Sequence, residues 1–283
     1  MVTIEFMEKY KIDVFTTHAV AEYNPKDDEY RAHRLSNCLE YITSVHNYVM
    51  NSTHHSDLLI LTGDLNNTFH SEEVKLLIHT LGITDTFEFI HSHSNISTHV
   101  FDNKRLDYIL FKKFSANWEM TDSHLCYFDQ SINIEKNSTK ELAGNVKHKK
   151  FYSDHLGVFA NFQLVNLPVH ANNHFPLNSK NFILQKIDES LEKSITHIFE
   201  NAITTSRHKL KIYFVISLLA FGLAVVSLFL PNHVLYGLNI LLFLILALVS
   251  IIFFLYAKLF KWVELKELRR HLKEFLTEHT INK

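Results

Sequence analysis

Two stretches near the C-terminus carry no charged residue. Ile212 to Leu230 reads IYFVISLLAFGLAVVSLFL, and Val234 to Ala257 reads VLYGLNILLFLILALVSIIFFLYA. A helix needs about 20 apolar residues to cross a bilayer, and a soluble core helix rarely lacks a charge over that length. The sequence therefore predicts a transmembrane hairpin over 212–257, with spans 212–230 and 234–257 broken by Pro231-Asn232-His233. Lys and Arg flank the hairpin on its outer ends, at Arg207, Lys209 and Lys211 and again at Lys258, Lys261, Lys266, Arg269 and Arg270. The loop between the spans has neither, so the positive-inside rule puts both termini in the cytosol. On this reading the chain is an integral, two-span membrane protein.

The rest of the composition sets wider bounds. Basic and acidic residues are nearly balanced, 28 against 30, which argues against a nucleic-acid partner because phosphate contacts need a basic face. Neither of the two cysteines, Cys38 and Cys126, sits in a C-x-x-C, so no disulfide framework or cysteine zinc site can be read from their spacing.

Before the hairpin the pattern is α/β. Lys11–His18 (KIDVFTTH), Leu58–Thr62, Arg105–Phe111 (RLDYILF) and Gly157–Val165 (GVFANFQLV) read as strands. A helix with Asn24 as N-cap and Pro25 at its first position buries Tyr30, Leu35, Leu39, Ile42, Val45 and Val49, and a second runs from Ser71 to Gly82. The resulting organisation is a catalytic-type domain over 1–165, a linker over 166–180, an amphipathic juxtamembrane helix over 181–211, the hairpin, and a cytosolic C-terminal helix over 258–283.

Polar residues recur at the strand ends. His18 closes one strand, and Asp64 and Asn66 follow Gly63 at the end of another. Asp107 lies in RLDY, and Ser153-Asp154-His155 opens the last strand. Each has an ordinary reading. Gly-Asp-Leu-Asn forms turns whatever the function, and Asp107 could pair with Arg105. In an α/β sandwich, however, such strand ends converge on one rim. The stretch His91-x-His93…His99 reads as a solvated loop rather than a zinc site, since no helix aligns the rings and no cysteine joins them.

The order TH…GDLN…RLDYIL…SDH resembles the endonuclease/exonuclease/phosphatase superfamily of DNase I-like α/β sandwiches. The block TTHAVAEYNPKDDEYRAHRL is similar to the TH-x-HAEYN…DEY-x-AHR block of the neutral sphingomyelinases, with Val20 where the family has a second histidine. The hairpin resembles the membrane anchor of the animal neutral sphingomyelinase 1 type. The resemblance implies a partial DNase I-like α/β sandwich, its C-terminal portion, followed by a two-helix transmembrane hairpin. It implies a Mg²⁺-dependent phosphodiesterase of phospholipase C type that cleaves sphingomyelin, or a related choline phospholipid, to ceramide and phosphocholine.

The implied roles are specific. Asp64 orients or deprotonates the attacking water, and Asn66 and His18 contact phosphate oxygens. His155 contacts the phosphate and stabilises charge, with Asp107 holding its ring. Asp154, with Asp64, binds the metal. The family's principal metal ligand, a glutamate in a Q-E-V motif, has no counterpart here. Glu5 in IEF lies only 13 residues before His18, too close to match it. About half a sandwich is therefore expected to be absent from this sequence. Two alternatives stay open: a non-catalytic, membrane-anchored relative of such enzymes, and a nuclease of the same superfamily.

Overall fold

The computed structural model describes residues 1–21, 26–52, 55–92, 96–99, 101–126, 153–165, 184–227, 233–256 and 262–280. The chain divides into two compact units, one of Met1–Tyr23 with Asn37–Asp188 and one of Asn24–Ser36 with Glu189–Lys283.

The first unit is built on a five-stranded mixed sheet. In chain order its strands are β1 (Val2–Phe6), β2 (Tyr10–His18), β3 (Leu58–Asp64), β4 (Thr84–Asp85) and β5 (Asp107–Lys113). Their spatial order is β1-β2-β3-β5-β4. Only β2 and β3 run parallel, and they are joined through helix α1 (Asp28–Asn51), as a parallel pair requires a long crossover. The alternation of β3 explains both faces. Leu58 and Ile60 join Tyr10, Ile12 and Phe111 in a core cluster with Trp118, Met120, Phe162 and Leu164. Those last four come from a separate antiparallel pair, β6 (Trp118–Cys126) and β7 (Gly157–Leu164), so this core lies between two sheets. On the other face Leu61, Tyr108 and Leu110 meet Tyr41 of α1 and Leu77 of α2 (Glu72–Leu81).

Local chemistry sets the helix ends. Ser71 caps α2 through its hydroxyl, which accepts from the Val74 N–H, and Gly82 ends it in the left-handed conformation at φ 56°. The expected cap at Asn24-Pro25 lies outside the described residues. Asp27 does this work for α1, accepting from the Glu29 N–H at 3.0 Å. A short helix, α3 (Thr86–His91), is capped by Asp85, whose carboxylate accepts from the Phe87 N–H.

Among the described residues, the second unit contains three helices besides the start of α1. These are α4 (Glu189–Ser227), α5 (His233–Tyr256) and α6 (Val263–Thr280). The amphipathic helix expected from residue 181 begins only at Glu189. Residues 184–188 are irregular instead, because the Gln185 N–H is bound to Thr80 O at 2.7 Å beside the end of α2. The linker expected over 166–180 lies outside the described residues.

The expected transmembrane hairpin is corrected by the structure: among the described residues, no helix is long and apolar enough to cross a membrane. Within the described part of α4 the charge-free run is Ile212–Ser227, shorter than the about 20 residues a span requires. The integral two-span localisation, with both ends cytosolic, rested on that hairpin and falls with it. The two helices do pack together, Tyr213 against Phe253 at 6.0 Å and Phe214 against Phe254 at 5.6 Å between ring centres. Both also present large exposed apolar side chains, among them Leu219, Phe221, Leu248 and Ile252.

One buried ion pair anchors the site end of the first unit. Arg105 donates from Nη2 to both carboxylate oxygens of Asp85, at 2.5 and 2.6 Å, and both side chains are less than a tenth exposed. Its guanidinium lies over the rings of Tyr108 (4.7 Å) and Phe87 (5.0 Å). The Tyr108 hydroxyl in turn donates to the carbonyls of Asn67 and Arg105. Removing one member of such a pair leaves the other charge buried and unpaired. Arg105→Ala is therefore expected to lower unfolding free energy by about 3–5 kcal/mol, as measured by urea denaturation of the chain. A loss under about 1 kcal/mol, typical of an exposed pair, would contradict this placement.

Candidate active site

The three central strands align the site in register. His18 pairs with Asp64 across β2 and β3, and Asp64 pairs with Asp107 across β3 and β5. Residues directly opposite on neighbouring strands present their side chains on the same face. The three groups therefore stand in one row at one end of the sheet.

Gly63 makes the approach of β2 and β3 possible. Its φ is 138°, and a Cβ there would lie 1.9 Å from the Thr17 carbonyl oxygen. Beyond it the chain turns sharply. Asp64 Oδ1 accepts the Asn66 N–H at 2.8 Å, while Asn66 adopts φ 48° and donates from Nδ2 to Ala19 O at 2.8 Å. The Ala19 N–H donates to Asp64 O at 2.8 Å. The turn and the site are thus one structure. Asn66 clamps the end of β2, and Asp64 keeps Oδ2 for other partners.

Those partners are two imidazoles. His18 Nε2 lies 3.6 Å and His155 Nε2 3.9 Å from Asp64 Oδ2. His155 Nδ1 donates to Asp107 Oδ2 at 2.7 Å. The alternative partner for Asp107, Arg105, is taken by Asp85. Burial works against the charged form of the His155 ring. The hydrogen bond to Asp107 and the carboxylates of Asp107, Asp64 and Asp154 outweigh it and hold its pKa above the usual 6.5. The structure thus brings His18, Asp64, Asn66, Asp107 and His155 together. Asp154 stands next to His155 but is more exposed, and it faces His99, whose Nε2 lies 3.6 Å from Asp154 Oδ2.

Sequence reasoning missed two contributors. Thr98 is fully buried and acts as a junction. Its hydroxyl oxygen accepts from the N–H groups of Leu106 and Asp107, and its carbonyl accepts from the Leu156 N–H. It thereby fixes Asp107 and His155 relative to each other. His99 belongs to the site region and not to a solvated loop. Its histidine neighbours do not follow: His91 is bound through Nε2 to Ser123 O at 2.6 Å, and His93 lies outside the described residues. A buried threonine before an otherwise unremarkable loop histidine gives little sequence signal.

Among the described residues, two groups could hold a metal ion by the proximity of their ligand atoms, Asp64 with Asp107 and His155, and His99 with Asp154 and His155. Divalent-metal chemistry fits this donor set of carboxylates and imidazoles, and the set does not single out Mg²⁺.

No protein-family model matches the chain. Over 190 residues it is 23% identical to the "Putative neutral sphingomyelinase" of Caenorhabditis elegans, a match covering 57% of this chain and 39% of that protein. The chain therefore spans well under half the length of this relative. Among solved structures it is similar to the human Nocturnin catalytic domain with bound sulfate anion, at TM-score 0.40 and 17% identity, over 58% of this chain and 51% of that one. The likeness to the nematode protein supports the endonuclease/exonuclease/phosphatase superfamily and singles out no member of it.

The raised His155 pKa has a definite sign for stability. Its contribution is complete below the unfolded value near 6.5 and is lost as pH rises through the higher folded value. In an NMR titration the His155 ring is expected to titrate above 6.5, and Asp107→Asn to lower its pKa. An unchanged midpoint in Asp107→Asn would contradict the assignment.

Proposed function

We propose that this rim is a phosphodiester-hydrolysing site of phospholipase C type, acting on sphingomyelin or a related choline phospholipid. The observation that carries the reading is the setting of Asp64 Oδ2 between two imidazoles, one of them held by a second carboxylate. A phosphodiester is anionic and repels hydroxide. Its hydrolysis needs a base for water and donors to the nonbridging oxygens, placed before the reaction begins.

Asp64 has the position and charge to orient and deprotonate the water. His155, kept protonated further into the neutral range by its carboxylate neighbours, supplies a cationic donor to a phosphate oxygen. Asp107 positions that ring and fixes which nitrogen faces the substrate, because its oxygen occupies Nδ1. His18, whose side chain is largely exposed, can reach a phosphate from the opposite side of Asp64. Asn66 adds an amide beside them. A divalent cation held at Asp64 would supply Lewis-acid stabilisation of the phosphate charge, whereas Asp154, expected beside it, faces His99 instead. The choice of lipid draws on the likeness to a protein described as a sphingomyelinase. The near-balanced charge of the chain disfavours a nucleic-acid substrate.

A second reading has one observation behind it. Asp107 is committed to His155 and Asp64 Oδ1 to the Asn66 N–H, so few carboxylate oxygens remain for a hard cation. A site so composed could bind a phosphate headgroup without cleaving it.

Phosphocholine release from sphingomyelin vesicles, with Mg²⁺ or Mn²⁺ and with chelator, separates the two. The hydrolytic reading expects chelator-sensitive release that falls at least about 100-fold in Asp64→Ala and His155→Ala, in keeping with loss of a base or of a charge-stabilising donor. Phosphocholine binding without release would favour the second reading. Release that survives both substitutions would exclude this rim.

A further inference from the structure

His99 has no part in the chemistry above, yet it is built against His155. The two rings meet edge to face at 4.9 Å, and their backbones form an antiparallel bridge. His99 Nε2 lies 3.6 Å from Asp154 Oδ2. One ligand atom from each of His99, Asp154 and His155 falls within 4.8 Å of the others. Two imidazoles and one carboxylate form a donor set for a borderline transition ion. Mg²⁺ selects oxygen ligands and retained water.

A second observation points the same way. Ligating histidines are usually backed at the far ring nitrogen by a carboxylate or carbonyl, which fixes the tautomer and strengthens the ligand. The His155 ring has such a backing. His155 Nδ1 is bound to Asp107 Oδ2 at 2.7 Å, which leaves Nε2 as its ligand atom. Beside His99 Nδ1, Asp102 Oδ2 stands at 3.6 Å, outside hydrogen-bond reach but close enough to become such a partner. The supporting backbone is also fixed. The N–H groups of Thr98 and His99 both donate to Lys104 O, and the Ser97 hydroxyl donates to His99 O at 2.7 Å.

We propose that His99, Asp154 and His155 bind a divalent transition-metal ion of the Zn²⁺ or Co²⁺ type. The ligands are the two Nε2 atoms and an Asp154 oxygen, with a further position for water or a phosphate oxygen. In the structure the Asp102 N–H donates to His99 Nδ1 at 3.1 Å, which places the ring proton on Nε2. Ligation moves that proton to Nδ1, where the Asp102 carboxylate accepts it, and the exposed turn at 101–103 rotates its N–H away. The ring stays neutral throughout. Metal binding itself does not depend on the phosphodiesterase reading. The ion takes the His155 Nε2 which that reading gives to phosphate, so ion and phosphate compete for this one atom.

Co²⁺ absorption tests the proposal directly, on the full chain carrying no affinity tag. One Co²⁺ per chain is expected, with the intense visible bands of a low-coordinate site, displaced by Zn²⁺ and not by millimolar Mg²⁺. His99→Gln and Asp154→Asn should each weaken binding by more than the about 10–100-fold typical of losing an outer-shell partner, and Asp102→Asn by an amount within that range. His91→Ala, whose ring is bound to Ser123, should leave it unchanged. Asp154 is well exposed, so its variant tests the site even if His99→Gln perturbs folding. Absence of the bands, or bands that persist in both His99→Gln and Asp154→Asn, would overturn the proposal. The readout is the metal spectrum, so its failure is separate from any failure of phosphocholine release.

Discussion

Asp64 and Asp107 face each other across the ladder between β3 and β5, and two carboxylates so placed repel. Much of the surrounding structure answers that repulsion. His155 takes Asp107 through Nδ1 and turns Nε2 toward Asp64, while His18 approaches Asp64 from the adjoining strand. The arrangement holds only if Asp107 is not drawn off by the nearest cation. Arg105 is two residues away in sequence but belongs to Asp85, locked there by two short hydrogen bonds and by the rings stacked against it. The ion pair in the core thus acts on the site by keeping Arg105 away from it.

Backbone geometry supplies the rest. Gly63 lets β2 approach β3 closely enough that His18 registers with Asp64. Thr98 joins three segments, so the loop carrying His99, the start of β5 and the residues following His155 cannot shift independently. These constraints preorganise charge at the rim, and fixed charge is what anionic chemistry gains most from.

Much of this was legible in the sequence where chemistry and periodicity coincide. The strands ending in His18 and Asp64, the α2 caps at Ser71 and Gly82, and the start of β7 at Gly157 lie where their residues indicate. The strands β1, β4 and β6 and the helix α3 were not foreseen. Two of these, β4 and α3, are short, and their formation depends on tertiary partners such as Arg105. The choice of Asp85 over Asp107 as the partner of Arg105 could not be read from RLDY, because it is decided by burial and not by spacing. The charge-free runs at the C-terminus misled in the opposite sense. Hydropathy alone indicated two membrane spans, whereas no described helix meets the length and apolarity of one.

Strand register gathers His18, Asp64 and Asp107 into one rim, and phosphate binding there is what we propose. The most direct measurement is titration of phosphocholine into the chain labelled with ¹⁵N-histidine. The ring signals of His18 and His155 should shift together along one binding curve. Independent curves for the two rings, or no shift in either at millimolar phosphocholine, would contradict it.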